Sequence, residues 1–373
     1  MKFYLIAGEA SGDLHAANLV KAIRHVDNTA EFRGFGGDLM KAAGVNIVKH
    51  YKDLSFMGFI EVLGHLPTIF KILNECKSDI LNFKPDALIL IDYPGFNLRI
   101  AKFASSKNLK VIYYISPQVW AWHQSRVHTI KKYVNRMITI LPFEKDFYAQ
   151  HQFDVFYAGH PLLDVITNYV PPAREAFLLQ NSLNHKPIIA ILPGSRKQEI
   201  KLMLPIMLSI VERFPEFQFV IGAASSLPNP FYEQIINHKK VAIVKGQTYD
   251  LLTHSYAAIV TSGTASLETA LLNVPQVICY KGQPLSYVIA RSLVKIEFIG
   301  LPNLVAGRQI VKELIQNDFT SARLYEEIDR LVHDERYRDS IRKGYSEIKK
   351  LLGGPGASAR AADEILHLIN SSS

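Results

Sequence analysis

The residues best suited to chemistry stand where apolar runs stop. Ala87-Leu88-Ile89-Leu90-Ile91 is unbroken and ends on Asp92. A carboxylate at the carboxyl tip of a buried parallel strand faces the crevice where open α/β sheets bind ligands, which makes Asp92 a candidate general base. The competing reading is a turn-initiating Asp ahead of Pro94-Gly95. A second run, 257–260, opens onto Thr261-Ser262-Gly263-Thr264-Ala265-Ser266-Leu267-Glu268, and helical spacing begins at once through Ala265, Leu267, Ala270 and Leu271. A helix start presents free N–H groups and partial positive charge, a seat for phosphate, and Gly263 lets a ligand approach the backbone. Glu268 lies too far along to cap, and its carboxylate suits the vicinal hydroxyls of a ribose. Against this, Ser262 or Thr264 is a plain N-cap and Glu268 a first-turn acid. Arg196 follows the strand run 188–192 and the turn Pro193-Gly194-Ser195, where a guanidinium can fork onto a diphosphate.

A third cradle is Gly8-Glu9-Ala10-Ser11-Gly12-Asp13, directly after the first strand. Its glycines are four apart with no third, so it is not a dinucleotide fingerprint, and Ser11 abuts Gly12, so it is not a nucleophile elbow. It reads as a ligand cradle or as a tight capped turn. Asp13 and His123 are the second and third choices for the base. Both tryptophans, Trp120 and Trp122, fall in the loop Ser116-Pro117-Gln118-Val119-Trp120-Ala121-Trp122-His123, either a stacking surface for a sugar or simple packing. The segment 299–308 lacks a regular period, and as a loop it offers Asn303 as a hydrogen-bond donor and acceptor. Residues 54–73 carry apolar side chains on more than one helical face, with Phe59, Leu63 and Phe70 among them. That is a core helix or a greasy surface for acyl chains and a membrane interface.

Positioning these groups takes repeated β-turn-α-β units, the rhythm of a parallel sheet. The rhythm restarts after the polar, proline-bearing stretch 164–187, which predicts twin Rossmann-like domains with a cleft between them. The 373 residues suffice for two domains, and 48% hydrophobic with 20% charged content excludes a disordered chain. A net charge of +8 suits an anionic partner: nucleic acid, membrane surface or phosphorylated substrate. Two widely separated cysteines predict a reduced, cytoplasmic setting and no cysteine-based metal site. The chain enters a strand at once, leaving no room for a signal peptide, and no run approaches a membrane span.

Taken together and in order, Gly8–Asp13, Ser116–Trp122, Leu192–Arg196, Thr261–Glu268 and Leu301–Leu304 resemble the lipid-A-disaccharide synthase family, as far as about residue 315. Members often carry a second acid after the proline of the Asp-x-Pro-x-Phe-Asn motif. Here that position is Gly95, which leaves Asp92. The resemblance implies a GT-B α/β fold: residues 1–165 as the acceptor, lipid and membrane domain, 166–345 as the UDP-sugar domain, and 346–373 as C-terminal helix packing back on the first. It implies an inverting transfer from UDP-2,3-diacylglucosamine to 2,3-diacylglucosamine 1-phosphate (lipid X), giving a β-1,6 disaccharide and UDP, without cofactor, metal or nucleic acid. Arg196, Ser262, Gly263, Thr264, Ser266 and Glu268 would hold the nucleotide sugar. Gly8, Glu9, Ser11, Gly12, Asp13, Trp122, His123 and Asn303 would line the acceptor side. The expected setting is the cytoplasmic face of the inner membrane, peripherally attached, with a homodimer as the expected assembly. The alternatives are a UDP-sugar epimerase of similar fold and a non-catalytic nucleotide-sugar or lipid binder.

Overall fold

The computed structural model describes residues 1–54, 66–121, 124–282 and 297–371. Two compact units divide the chain, Met1–Asp164 with Gly354–Ser373, and Val165–Gly353.

In the first unit seven parallel strands run in the order β3-β2-β1-β4-β5-β6-β7: β1 Lys2–Ala7, β2 Glu31–Gly36, β3 Asn46–His50, β4 Ala87–Ile91, β5 Lys110–Tyr114, β6 Arg136–Thr139 and β7 Phe156–Tyr157. The helices between them are α1 Ala10–Val26, α2 Asp38–Ala42, α3 Leu66–Phe83, α4 Pro94–Ser105, α5 Arg126–Tyr133 and α6 Pro142–Gln150, and α7 Leu162–Thr167 follows β7. Every residue of β4 is buried, as a strand covered by helices on both faces requires. Ile69, Ile72, Leu73, Cys76 and Ile80 turn one stripe of α3 into the core, while Phe70 on the same helix is 61% exposed. The rest of the apolar stretch, 55–65, lies outside the described residues.

The second unit holds a six-stranded parallel sheet in the order β10-β9-β8-β11-β12-β13: β8 Ile188–Leu192, β9 Gln218–Ala223, β10 Val241–Lys245, β11 Ser255–Thr261, β12 Gln276–Tyr280 and β13 Glu313–Ile315. Its helices include α8 Arg174–Gln180, α9 Lys197–Leu208, α10 Asn229–Ile236, α11 Thr248–Thr253 and α12 Thr264–Leu271. Helix α9 starts with the polar turn Lys197-Gln198-Glu199 and is followed by a short 3-10 turn at Val211–Arg213. The 299–308 segment is not an irregular loop. It contains the helix Leu301–Ala306, with Pro302 in its first turn and Gly307 closing it in the left-handed region, too short for a period to register.

The chain returns to the first unit at its end. The C-terminal helix Ala357–Asn370 buries Ala361, Ala362, Ile365, Leu366 and Ile369 and packs on α1. Asp164 accepts from the N–H groups of Gly356, Ala357 and Ser358, capping that helix from a distant part of the chain.

Candidate active site

In each sheet the strand order reverses beside the first strand laid down, and ligands of open α/β sheets bind at that point, beyond the carboxyl ends. The first unit puts the ends of β1 and β4 there, Ala7 beside Ile91. The residues that follow are Gly8–Asp13 and Asp92–Tyr93. Asp92 and Tyr93 both adopt left-handed backbone, φ 44° and 50°, costly for residues with side chains. The turn is held from beneath. The amide of Asn97, fully buried, donates to the carbonyls of Ile91 at 3.1 Å and Asp92 at 2.7 Å, and the Tyr113 hydroxyl donates to the same Asp92 carbonyl. Pro94 then starts α4 with a fixed φ.

Asp92 is half-buried, and burial pushes its carboxyl up to about 7, with the nearby Glu9 charge adding to the rise. Glu9 and Ser11 are exposed at the start of α1. Gly8 is required by close approach: a Cβ there would meet the Tyr93 ring at 2.3 Å. Gly12 is buried against Ala7 and Ile91.

Asp13 does not face a ligand. Its carboxylate accepts from the backbone N–H groups of Gly37 at 2.7 Å, Leu39 at 3.0 Å and Met40 at 3.1 Å. These bonds tie α1 to the start of α2 and give Asp13 a bracing role in the fold. The aromatic loop begins at Ile115, whose φ of 66° is an outlier for a β-branched residue. Trp120 is packing: it is buried edge-on against Phe143, ring centroids 4.9 Å apart. Behind it Glu144 is buried and accepts from the N–H groups of Ile140 and Leu141, and desolvation raises its carboxyl to about 7. Trp122 and His123 lie outside the described residues.

In the second unit β8 and β11 end side by side, Leu192 opposite Val260, and the turns that follow are 193–196 and 262–264. Gly263 has φ 148° and stands in open space, so the backbone conformation itself calls for glycine. Gly263 and Thr264 are exposed at the start of α12. Neither Ser262 nor Thr264 is an N-cap; Gly263 holds that place without a side-chain bond. Ser262 donates to the Ile299 carbonyl at 2.8 Å, and the fully buried Ser266 donates back to the Gly263 carbonyl at 2.7 Å. Both hydroxyls are spent inside the fold, where they shape the turn. Glu268 accepts from the Tyr249 hydroxyl at 2.8 Å, and burial raises its carboxyl while that bond lowers it. Arg196 precedes α9 with an exposed side chain that donates to Glu199 at 3.2 Å.

Asn303 is a brace. It is fully buried, its amide donates to the Val311 carbonyl and Glu313, and its oxygen accepts from the N–H groups of Ile310 and Val311. Glu313 in turn accepts from the N–H groups of Ile299 and Gly300. All four bonds an amide can make are spent inside the fold, so Asn303 has none for a substrate. Sequence reading missed Tyr249, Asn97, Tyr113 and Glu313. Of these only Asn97 left a signal, two residues after the Pro-Gly pair that follows Asp92 and Tyr93.

Two parallel-sheet units, each with a turn at its switch point, define a GT-B-type fold. A UDP-GlcNAc 2-epimerase from Neisseria meningitidis, solved with UDP-GlcNAc, superposes with a TM-score of 0.68 over 98% of this chain and 100% of its own, at 14% identity. The calicheamicin glycosyltransferase CalG4 gives 0.58 over 100% and 99%, at 15% identity. At such identities these likenesses speak for the fold. The family is settled by sequence: the lipid-A-disaccharide synthetase model matches residues 3–365. Lipid-A-disaccharide synthases from Geobacter sulfurreducens and Syntrophus aciditrophicus are 38% and 40% identical, each over 99% of this chain and 97% and 98% of their own. The chain belongs to the lipid-A-disaccharide synthase family and is a glycosyltransferase.

Proposed function

We propose that the second unit holds the donor, UDP-2,3-diacylglucosamine, and the first unit the acceptor, 2,3-diacylglucosamine 1-phosphate, in a direct displacement with inversion. Asp92 takes the proton of the acceptor 6-hydroxyl as its oxygen attacks the anomeric carbon. The bond from that carbon to the diphosphate breaks, leaving a β-1,6-linked disaccharide 1-phosphate and UDP. Arg196 and the N–H groups that open α12 receive the charge developing on the diphosphate. Glu268 accepts from the ribose hydroxyls. Glu9, Ser11 and the backbone of Gly8 and Gly12 border the acceptor. The observation that carries this reading is Asp92 itself: an acid at the switch point, locked by two buried donors, with a pKa of about 7 that lets it take up a proton near neutrality.

A UDP-sugar epimerase is the second reading, favoured by the shared fold of the Neisseria enzyme. Incubation with both lipids decides between them. Disaccharide and UDP formed in equal amounts, and only when both lipids are present, support the transfer. UDP released, or the sugar altered, without acceptor overturns it, and binding without turnover leaves a carrier.

Among the described residues no helix is long and apolar enough to cross a membrane. We place the enzyme peripherally on the cytoplasmic face of the inner membrane, through the 54–73 stretch, where Phe70 stands exposed, and through its +8 net charge. A homodimer is proposed from the family likeness, and sedimentation velocity tests it.

A further inference from the structure

Glu268 is gripped on one oxygen only. The Tyr249 hydroxyl, on α11, donates to its Oε1 at 2.8 Å, and among the described residues Oε2 accepts no hydrogen bond. Tyr249 is itself fixed. Its ring packs edge-on against Tyr169, centroids 5.4 Å apart at 83°, and the Tyr169 hydroxyl donates to Asp250, the next residue along α11. A glutamate on an exposed helix turn ordinarily samples several rotamers, and ordering it costs entropy when a ligand binds. Here the protein has already ordered it. One carboxylate oxygen is engaged by the protein and the other is left as a strong, charge-assisted acceptor near the helix start that faces the proposed diphosphate seat.

We propose that Tyr249 is a positioning residue that presents Glu268 as a one-sided acceptor for a vicinal diol, so that the site selects ribonucleoside over deoxyribonucleoside diphosphates. The inference rests on the ribose role proposed for Glu268 and goes beyond it by naming what orients that carboxylate and what chemical difference it reads. Tyr249 touches no substrate; its effect passes through Glu268.

The test is calorimetric titration of the full chain with UDP and with 2′,3′-dideoxyuridine 5′-diphosphate. The wild type should prefer UDP by about 10- to 100-fold, the size expected for hydrogen bonds to a charged acceptor. Tyr249→Phe keeps the ring and its packing on Tyr169. It should cut the preference about fivefold or more while leaving affinity for the dideoxy ligand unchanged. Tyr169→Phe loses a hydroxyl in the same cluster but keeps the ring that packs on Tyr249 and the Tyr249–Glu268 bond, so it should lower the preference less than Tyr249→Phe does. Circular dichroism confirms that each variant is folded. If Glu268→Gln abolishes the preference and Tyr249→Phe does not, the positioning role is overturned and the ribose role stands. If Glu268→Gln keeps the preference, the ribose role fails and this inference with it. Equal losses for both ligands in Tyr249→Phe would mark a merely structural tyrosine and also overturn the inference.

Discussion

Asp92 gives the sharpest pH prediction. Burial, then the charge of Glu9, raises its carboxyl from 3.8 to about 7. A base must be deprotonated to act, so kcat/KM rises with pH through that value. For a single ionisation at about 7, roughly nine-tenths of the enzyme is competent at pH 8 and roughly one-tenth at pH 6, a tenfold fall. Glu9→Gln removes the like charge but not the burial. The acidic limb should therefore move down while staying above the ordinary carboxylate range. Asp92→Asn should stay folded, bind UDP as before and lose about 10²–10⁴-fold in turnover. The assay is initial-rate disaccharide formation from pH 5 to 9 at subsaturating acceptor. A limb near pH 4 in the wild type, one unmoved by Glu9→Gln, or near-normal turnover in Asp92→Asn would each refute the reasoning.

Arg196→Ala should weaken UDP binding by about 1.5–3 kcal/mol through lost charge-assisted bonds, read by calorimetry. Glu144 is buried with its carboxyl raised from 4.5 to about 7, so the folded state holds its proton more tightly than the unfolded chain does. Its contribution is fully present below pH 4.5 and is lost as pH rises toward 7, a change on the order of 3 kcal/mol that Glu144→Gln should remove from denaturation curves. The buried His15 and His160, lowered to about 4 and about 3, work in the opposite sense, losing stability as pH falls below about 6.5; both are unchanged in the variant, so the difference curve isolates Glu144. Gly8→Ala, driving a Cβ to 2.3 Å from the Tyr93 ring, should cost about 1–3 kcal/mol by thermal denaturation, and Gly12→Ala, with nothing nearer than 3.3 Å, should cost less. Phe70→Ser should leave stability nearly unchanged, since the side chain is 61% exposed, yet reduce sedimentation with anionic vesicles at low salt.

The fold was legible because the central parallel strands β1, β4, β8 and β11 carry continuous apolar runs, and each of these four ends on a glycine-bearing turn. Asp92, Gly263 and Arg196 could be singled out for that reason: they occupy strand exits, which pattern reveals. What a side chain does after the exit depends on partners far away in sequence, and pattern does not carry that. Asp13 looked like a cleft acid because its three donors, Gly37, Leu39 and Met40, come from another β-α turn. Asn303 looked like a loop ligand because Glu313 and the 310–311 backbone, which consume its bonds, give no local signal. Tyr249 was invisible for the same reason, nineteen residues from the glutamate it holds.

The C-terminal helix sets a clock on biosynthesis. The second unit is continuous and can fold as it emerges, but the first is split, and the helix that covers α1 and is capped by Asp164 comes after the whole of the second unit. At roughly 5–20 residues per second, the ribosome leaves that face of α1 bare for about 10–40 s. During this interval the seven-stranded unit is complete in its sheet yet unsealed on one side. A chaperone that shields apolar helix faces would find its target in this window, and a stop codon shortly before residue 354 would make the exposure permanent.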